Sequence, residues 1–162
     1  MAPNTNFLEQ AIQLAYENIE QGGRPFGALV VKDGKVIATG VNQIMETKDP
    51  TAHAELMAIR AASQRLGSAS LAGCSVFASG HPCPMCMAAM RLAGVTEVTY
   101  AHSNEDGAPF GLSTADVYAD LAKPFAEQSM KIRHVPPQPT ERPGLYEHWQ
   151  ARTQSGDTHN TR

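Results

Sequence analysis

Leu8, Ile12, Ala15 and Ile19 recur at helical spacing, which predicts an amphipathic helix over Asn6 to Gln21 that Gly22-Gly23 ends. The period then changes. Phe26 to Val31 and Val36 to Thr39 read as two strands, with Asp33-Gly34 between them as a hairpin turn whose central positions favour φ > 0. Gly40 to Asp49 is a polar loop, and Pro50-Thr51 opens a helix running to about Leu66. Ser75 to Ala78 is a short apolar strand, Pro84 to Leu92 a helix closed by Ala93-Gly94, and Glu97 to Ala101 the next strand. Asn104 to Leu112 holds glycines and a proline and reads as a loop before a helix from about Thr114 to Leu121. Lys131 to Val135 is expected to be a fifth strand and Leu145 to Thr153 a last helix, with a polar, flexible tail over 155–162. This order predicts an α/β sandwich with a mixed five-stranded sheet, and a single domain over 1–154.

Composition narrows the class. With 42% apolar and 18% charged residues the chain reads as globular, and no apolar run approaches the ~20 residues that span a bilayer. The N-terminal residues carry no basic cluster ahead of an apolar stretch, so a cytoplasmic location is expected. The formal charge of −3 comes with scattered basic residues, the only adjacent cluster being Lys131 to His134, which argues against a nucleic-acid backbone as partner. Three cysteines, Cys74, Cys83 and Cys86, do not suit a disulfide framework. Cys74 reads as a buried thiol at a strand start, and Met85, Met87 and Met90 as core.

Two segments carry chemistry, Asp49-Pro-Thr-Ala-His53-Ala-Glu55 and His81-Pro-Cys83-Pro-Met-Cys86, and each opens an expected helix. Cys83 and Cys86 are three residues apart and share a helix face, with Pro84 suited to the first helical position. Both sulfurs then lie at the positive end of the helix dipole, which favours thiolate. His53 is the natural third ligand for zinc, leaving a fourth position for water. Glu55 follows His53 by two residues, about 200° around an ideal helix, so both reach one cavity only where the motif lies at the helix start. Two thiolates neutralise Zn²⁺, so bound water can ionise near neutral pH, while Glu55 serves as proton carrier instead of fourth ligand.

A His-x-Glu segment followed by Pro-Cys-x-x-Cys is the known signature of zinc nucleobase deaminases. The chain resembles the cytidine and deoxycytidylate deaminase superfamily in these two segments. Gly23-Arg-Pro-Phe-Gly-Ala28, Asn42, residues 49–55 and Pro82 to Cys86 resemble its bacterial guanine deaminase branch. The resemblance, running from about Phe7 to Pro124, implies a three-layer α/β/α sandwich of the cytidine deaminase type. It further implies zinc ligands His53, Cys83 and Cys86, one zinc per subunit, and Glu55 as the proton shuttle. Asn42 is implied as a hydrogen-bond partner of the base edge, with Phe26 and the Ala54 backbone lining the pocket. A homodimer exchanging C-terminal segments is implied as well. The chain departs from the branch in His81, where relatives usually carry Glu, in Ser113-Thr114, where an acidic pair is usual, and in the tail Thr158 to Arg162, which lacks an aromatic residue. His81 reads as a residue of the pocket rim.

The expected activity is hydrolytic deamination of a free nucleobase, with guanine leading to xanthine and ammonia. Cytosine, a nucleoside, an aminotriazine or a pterin would use the same chemistry. Editing of adenosine in transfer RNA shares the metal motifs but calls for a basic groove. A non-catalytic zinc or redox module would leave Glu55 without a task.

Overall fold

The computed structural model describes residues 3–154; the tail expected to be flexible lies outside them. They fall into two compact units that divide between Ala122 and Lys123.

The first unit is built on four strands, β1 (Gly27–Lys32), β2 (Lys35–Val41), β3 (Cys74–Gly80) and β4 (Glu97–His102), in the order β2-β1-β3-β4. β1 pairs antiparallel with both β2 and β3, and β3 pairs parallel with β4, so the sheet is mixed. The β1–β2 turn forms as the Asp-Gly pair requires, with φ of 51° at Asp33 and 74° at Gly34. Alternation along β1 sorts its side chains between two cores. Ala28 and Val30 join Val76, Leu56, Ala58 and Met90 on one face, under helices α3 (Ala54–Leu66) and α4 (Pro84–Ala93). Leu29 and Val31 join Phe77 and Ala11 on the other, under helix α1 (Pro3–Glu20). Helices on both faces make the expected three-layer α/β/α sandwich. The central strands are buried on both sides, which is why they read as apolar runs.

Several elements differ from the sequence expectation. The fifth strand is absent: the sheet has four strands, and Lys131 to Val135 carries no regular structure among the described residues. Val135 is exposed, and Pro136-Pro137 supply no N–H donors with which to continue a ladder. The buried stripe of α1 runs through Phe7, Ala11, Leu14, Ala15 and Asn18, while Ile19 is 45% exposed. Met87 lies at the surface, whereas Met90 is buried and Met85 packs against the same core. The 40–49 loop contains a short helix α2 (Ile44–Thr47), and the 104–112 loop contains α5 (Asn104–Gly107) with a 3-10 turn at Ala108–Phe110. Ser103 and Asp106 form a capping box that starts α5, a local signal within the apparent loop. Helix α6 (Ala115–Leu121) ends the first unit. The second unit holds a 3-10 turn at Phe125–Glu127 and helix α7 (Leu145–Thr153). Cys74 is a buried thiol at the start of β3, as expected. Among the described residues no helix is long and apolar enough to cross a membrane.

Candidate active site

The helix expected from Pro50 begins at Ala54, and the delay has a local cause. The Asp49 carboxylate accepts both the N–H and the hydroxyl of Thr51, at 2.8 and 2.7 Å. Those bonds hold Asp49 below its ordinary pKa. Arg60 ties the turn down, donating to the Thr51 hydroxyl at 2.9 Å and lying 3.8 Å from Asp49. An Asx-turn of this kind competes with helix, so α3 starts one turn later than the proline suggests. His53 becomes the N-cap residue, with extended backbone (φ −72°, ψ 154°), and Glu55 the second residue of α3. This resolves the 200° problem: the chain changes direction between the two, and both side chains reach one cavity.

The second helix repeats the device. Cys83 is the N-cap of α4 with φ −73° and ψ 167°, Pro84 occupies the first turn, and Cys86 follows within it. Upstream, the Tyr118 hydroxyl of α6 donates to the Pro82 carbonyl and steadies the turn that presents Cys83. No local sequence signal could have linked Tyr118 to Pro82, 36 residues away.

The two helix starts bring three donors together. His53 Nδ1 lies 3.4 Å from Cys83 Sγ and 3.6 Å from Cys86 Sγ, and the sulfurs are 3.5 Å apart. Tetrahedral zinc, with bonds of about 2.3 Å to sulfur and 2.0–2.1 Å to nitrogen, calls for donor separations of roughly 3.5–3.8 Å. The triangle therefore fits one zinc ion, and His53, Cys83 and Cys86 could hold it. The hydrogen bond shared by the two sulfurs holds the Cys83 thiol below its ordinary pKa, while that bond and burial raise Cys86. A divalent cation held by this triangle would take the place of the shared proton, with both sulfurs as thiolates.

Glu55 is 4% exposed and lines the same cavity. Burial pushes its carboxyl above the ordinary carboxylate value. The cavity measures about 240 Å³ and is walled also by Arg24, Phe26, Asn42, Ala54 and His81. The predicted residues therefore meet in one place. Asn42 is buried, and its Oδ1 accepts the Ile44 N–H at 3.1 Å, which turns the amide NH₂ into its remaining polar face. His81 sits at the rim, its backbone N–H on the His102 carbonyl at 2.7 Å and its ring 4.7 Å from Tyr100 and 5.5 Å from Tyr118. Ser113 and Thr114 also line the cavity, so Glu55 is the one carboxylate among its lining residues. Arg24 was not singled out in the sequence, where a lone arginine beside a proline looks like solvated surface.

A family model described as the cytidine and deoxycytidylate deaminase zinc-binding region matches residues 1–102. The chain belongs to this family. It is a zinc-dependent hydrolytic deaminase with zinc as its cofactor. A guanine deaminase of Bacillus subtilis is 42% identical over 130 residues, covering 80% of this chain and 83% of that protein. The solved structure of a Bacillus subtilis guanine deaminase superimposes with a TM-score of 0.77 at 38% identity, covering 93% of this chain and 91% of that one. Guanine deaminase from Nitrosomonas europaea gives 0.65 at 29% identity over 70% of this chain and 66% of that one. A tRNA-specific adenosine deaminase of Aquifex aeolicus is 40% identical over a shorter stretch, 59% of this chain and 63% of that protein.

Proposed function

We propose that this deaminase acts on guanine, releasing ammonia and xanthine, with Glu55 as its proton shuttle and His53, Cys83 and Cys86 as its zinc ligands. The observation that carries this reading is the placement of one buried carboxylate beside a metal-sized donor triangle, in a cavity otherwise lined by hydrogen-bond donors and apolar groups. Zinc in such a site supplies Lewis acidity and lowers the pKa of water. The chain's own residues do the rest. Glu55 accepts a proton from the attacking water, passes it to the ring nitrogen next to the reacting carbon, and delivers the next one to the departing amino group. Its raised pKa suits a group that must take up and release protons in turn. The Asn42 amide and the Arg24 guanidinium offer donors to the carbonyl oxygen and ring-nitrogen acceptors that guanine carries on its far edge. Phe26 supplies an apolar wall, and the Ala54 N–H, in the first turn of α3, has no intrahelical partner by construction.

We further infer a homodimer with exchanged C-terminal segments. The exposure of Leu145, Tyr146 and Trp149 on α7 supports a partner for that helix. The thiolate ligands suit a reducing compartment, the cytoplasm. Ammonia release measured on guanine, cytosine, adenine, their nucleosides, an aminotriazine, a pterin and an anticodon stem-loop tests the substrate. Guanine is expected to give the highest kcat/KM. Turnover of the stem-loop with none of the free bases would overturn the reading. Light scattering at several concentrations checks the dimer, and a monomer at all of them would refute it.

A further inference from the structure

We infer that Asn18 is a positioning residue for the base-binding wall, an inference that rests on the guanine reading above. Asn18 lies on the buried stripe of α1, where the helical period calls for an apolar side chain, and it is 8% exposed. Its amide donates to the Arg24 carbonyl at 2.8 Å and to the Asn42 carbonyl at 3.0 Å. Two carbonyls facing one amide end fix its orientation, since only the NH₂ can serve both. Arg24 precedes β1 and Asn42 follows β2, so one side chain links the two segments that supply the cavity's donors.

The backbone closes the arrangement into a ring. Gly23 N–H donates to the Asn18 carbonyl at 2.8 Å, Phe26 N–H to the Arg24 carbonyl at 2.8 Å, and Asn42 N–H to the Phe26 carbonyl at 3.2 Å. Arg24, Phe26 and Asn42 all line the cavity, and Asn18 does not. Gly23 makes room for the amide: a Cβ there would come within 2.8 Å of Asn18 Cγ and Oδ1. None of these bonds involves α3 or α4, which carry the donor triangle. Asn18 therefore sets where the base's far edge is held, and leaves the metal and Glu55 alone. A buried asparagine that merely satisfied the end of α1 would act on stability only.

The test compares Asn18→Leu with the wild-type holoenzyme on guanine and on 2-aminopurine, the same ring without its carbonyl. Losing both donors is expected to raise KM for guanine about tenfold, since the buried Asn42 carbonyl loses this partner and the Arg24 carbonyl keeps only the Phe26 N–H. The preference for guanine over 2-aminopurine is expected to fall by a similar factor. Meanwhile kcat should stay within about threefold and zinc at one per chain. Should the leucine variant fail to fold, Gly23→Ala displaces the amide from the other side and is read in the same way. Unchanged KM and preference, or an equal loss on both substrates, would overturn the inference. Guanine turnover by the wild type tests the functional reading separately, and its absence would remove both.

Discussion

The two walls of the cavity are built by different means. The metal wall comes from two short segments, each of which ends a turn and starts a helix, so His53 and Cys83 both sit as N-caps with extended backbone. The geometry there is local: Asp49, Thr51 and Pro84 decide within a few residues where each helix begins. The base wall comes from three stretches of chain tied by hydrogen bonds, Asn18 to Asn42 and Asn42 to Phe26 among the longer-range ones. Chemistry is placed where the chain fixes it locally. Recognition is placed where separate segments are tied together.

Changes on the metal wall are expected to strike kcat, and changes on the base wall KM. The largest effect should come from Cys83→Ala, which removes one of the three proposed ligands: zinc content and ammonia release should both be lost, and prolonged chelation of the wild type should do the same until zinc is restored. Elemental analysis beside the rate assay checks this, and full activity in a zinc-free preparation would break the comparison at its root. Next is Glu55→Gln, expected to lower kcat by about 10²–10⁴-fold with zinc retained at one per chain. A wild-type rate in that variant would remove the proton shuttle.

On the other wall, Asn42→Ala removes the amide and leaves the Ile44 N–H without its partner. A loss of about 1–3 kcal/mol in kcat/KM is expected, carried mainly by KM in steady-state assays. A fall in kcat alone would place Asn42 with the catalytic groups and blur the distinction. The smallest effect belongs to Gly34→Val in the hairpin turn, at φ +74° and outside the cavity lining. It is expected to cost about 1 kcal/mol of stability in a denaturant titration and to leave KM unchanged. A shift in KM there would mean that strain in the turn travels along β1 and β2 to the base wall.

Much of the site was legible because its residues announce their chemistry at short range. Cys-x-x-Cys with Pro84 implies a helix start, and His53 with Glu55 can share a cavity only at one. The hairpin was legible in Asp33-Gly34 for the same reason, since two successive positive φ values suit few residue pairs. The fifth strand was misread because Lys131 to Val135 has strand composition, yet a strand exists only through a neighbour's hydrogen bonds. Ile19 and Met87 were misread because a helical period marks a face, whereas packing decides which edge of that face is covered.

The sequence alone pointed to the reaction type, through the identity and spacing of the proposed zinc donors and Glu55, and it determined the order of the four strands and of α1, α3, α4 and α6 in the first unit. Only the tertiary structure decided that Arg24, Phe26 and Asn42 form one surface, that Tyr118 holds the turn before Cys83, and that Asn18 replaces an apolar side chain inside α1's buried stripe. Ligand spacing is written in adjacent residues and survives in a linear string. A hydrogen bond between residues 24 positions apart depends on where the whole sheet brings their backbones.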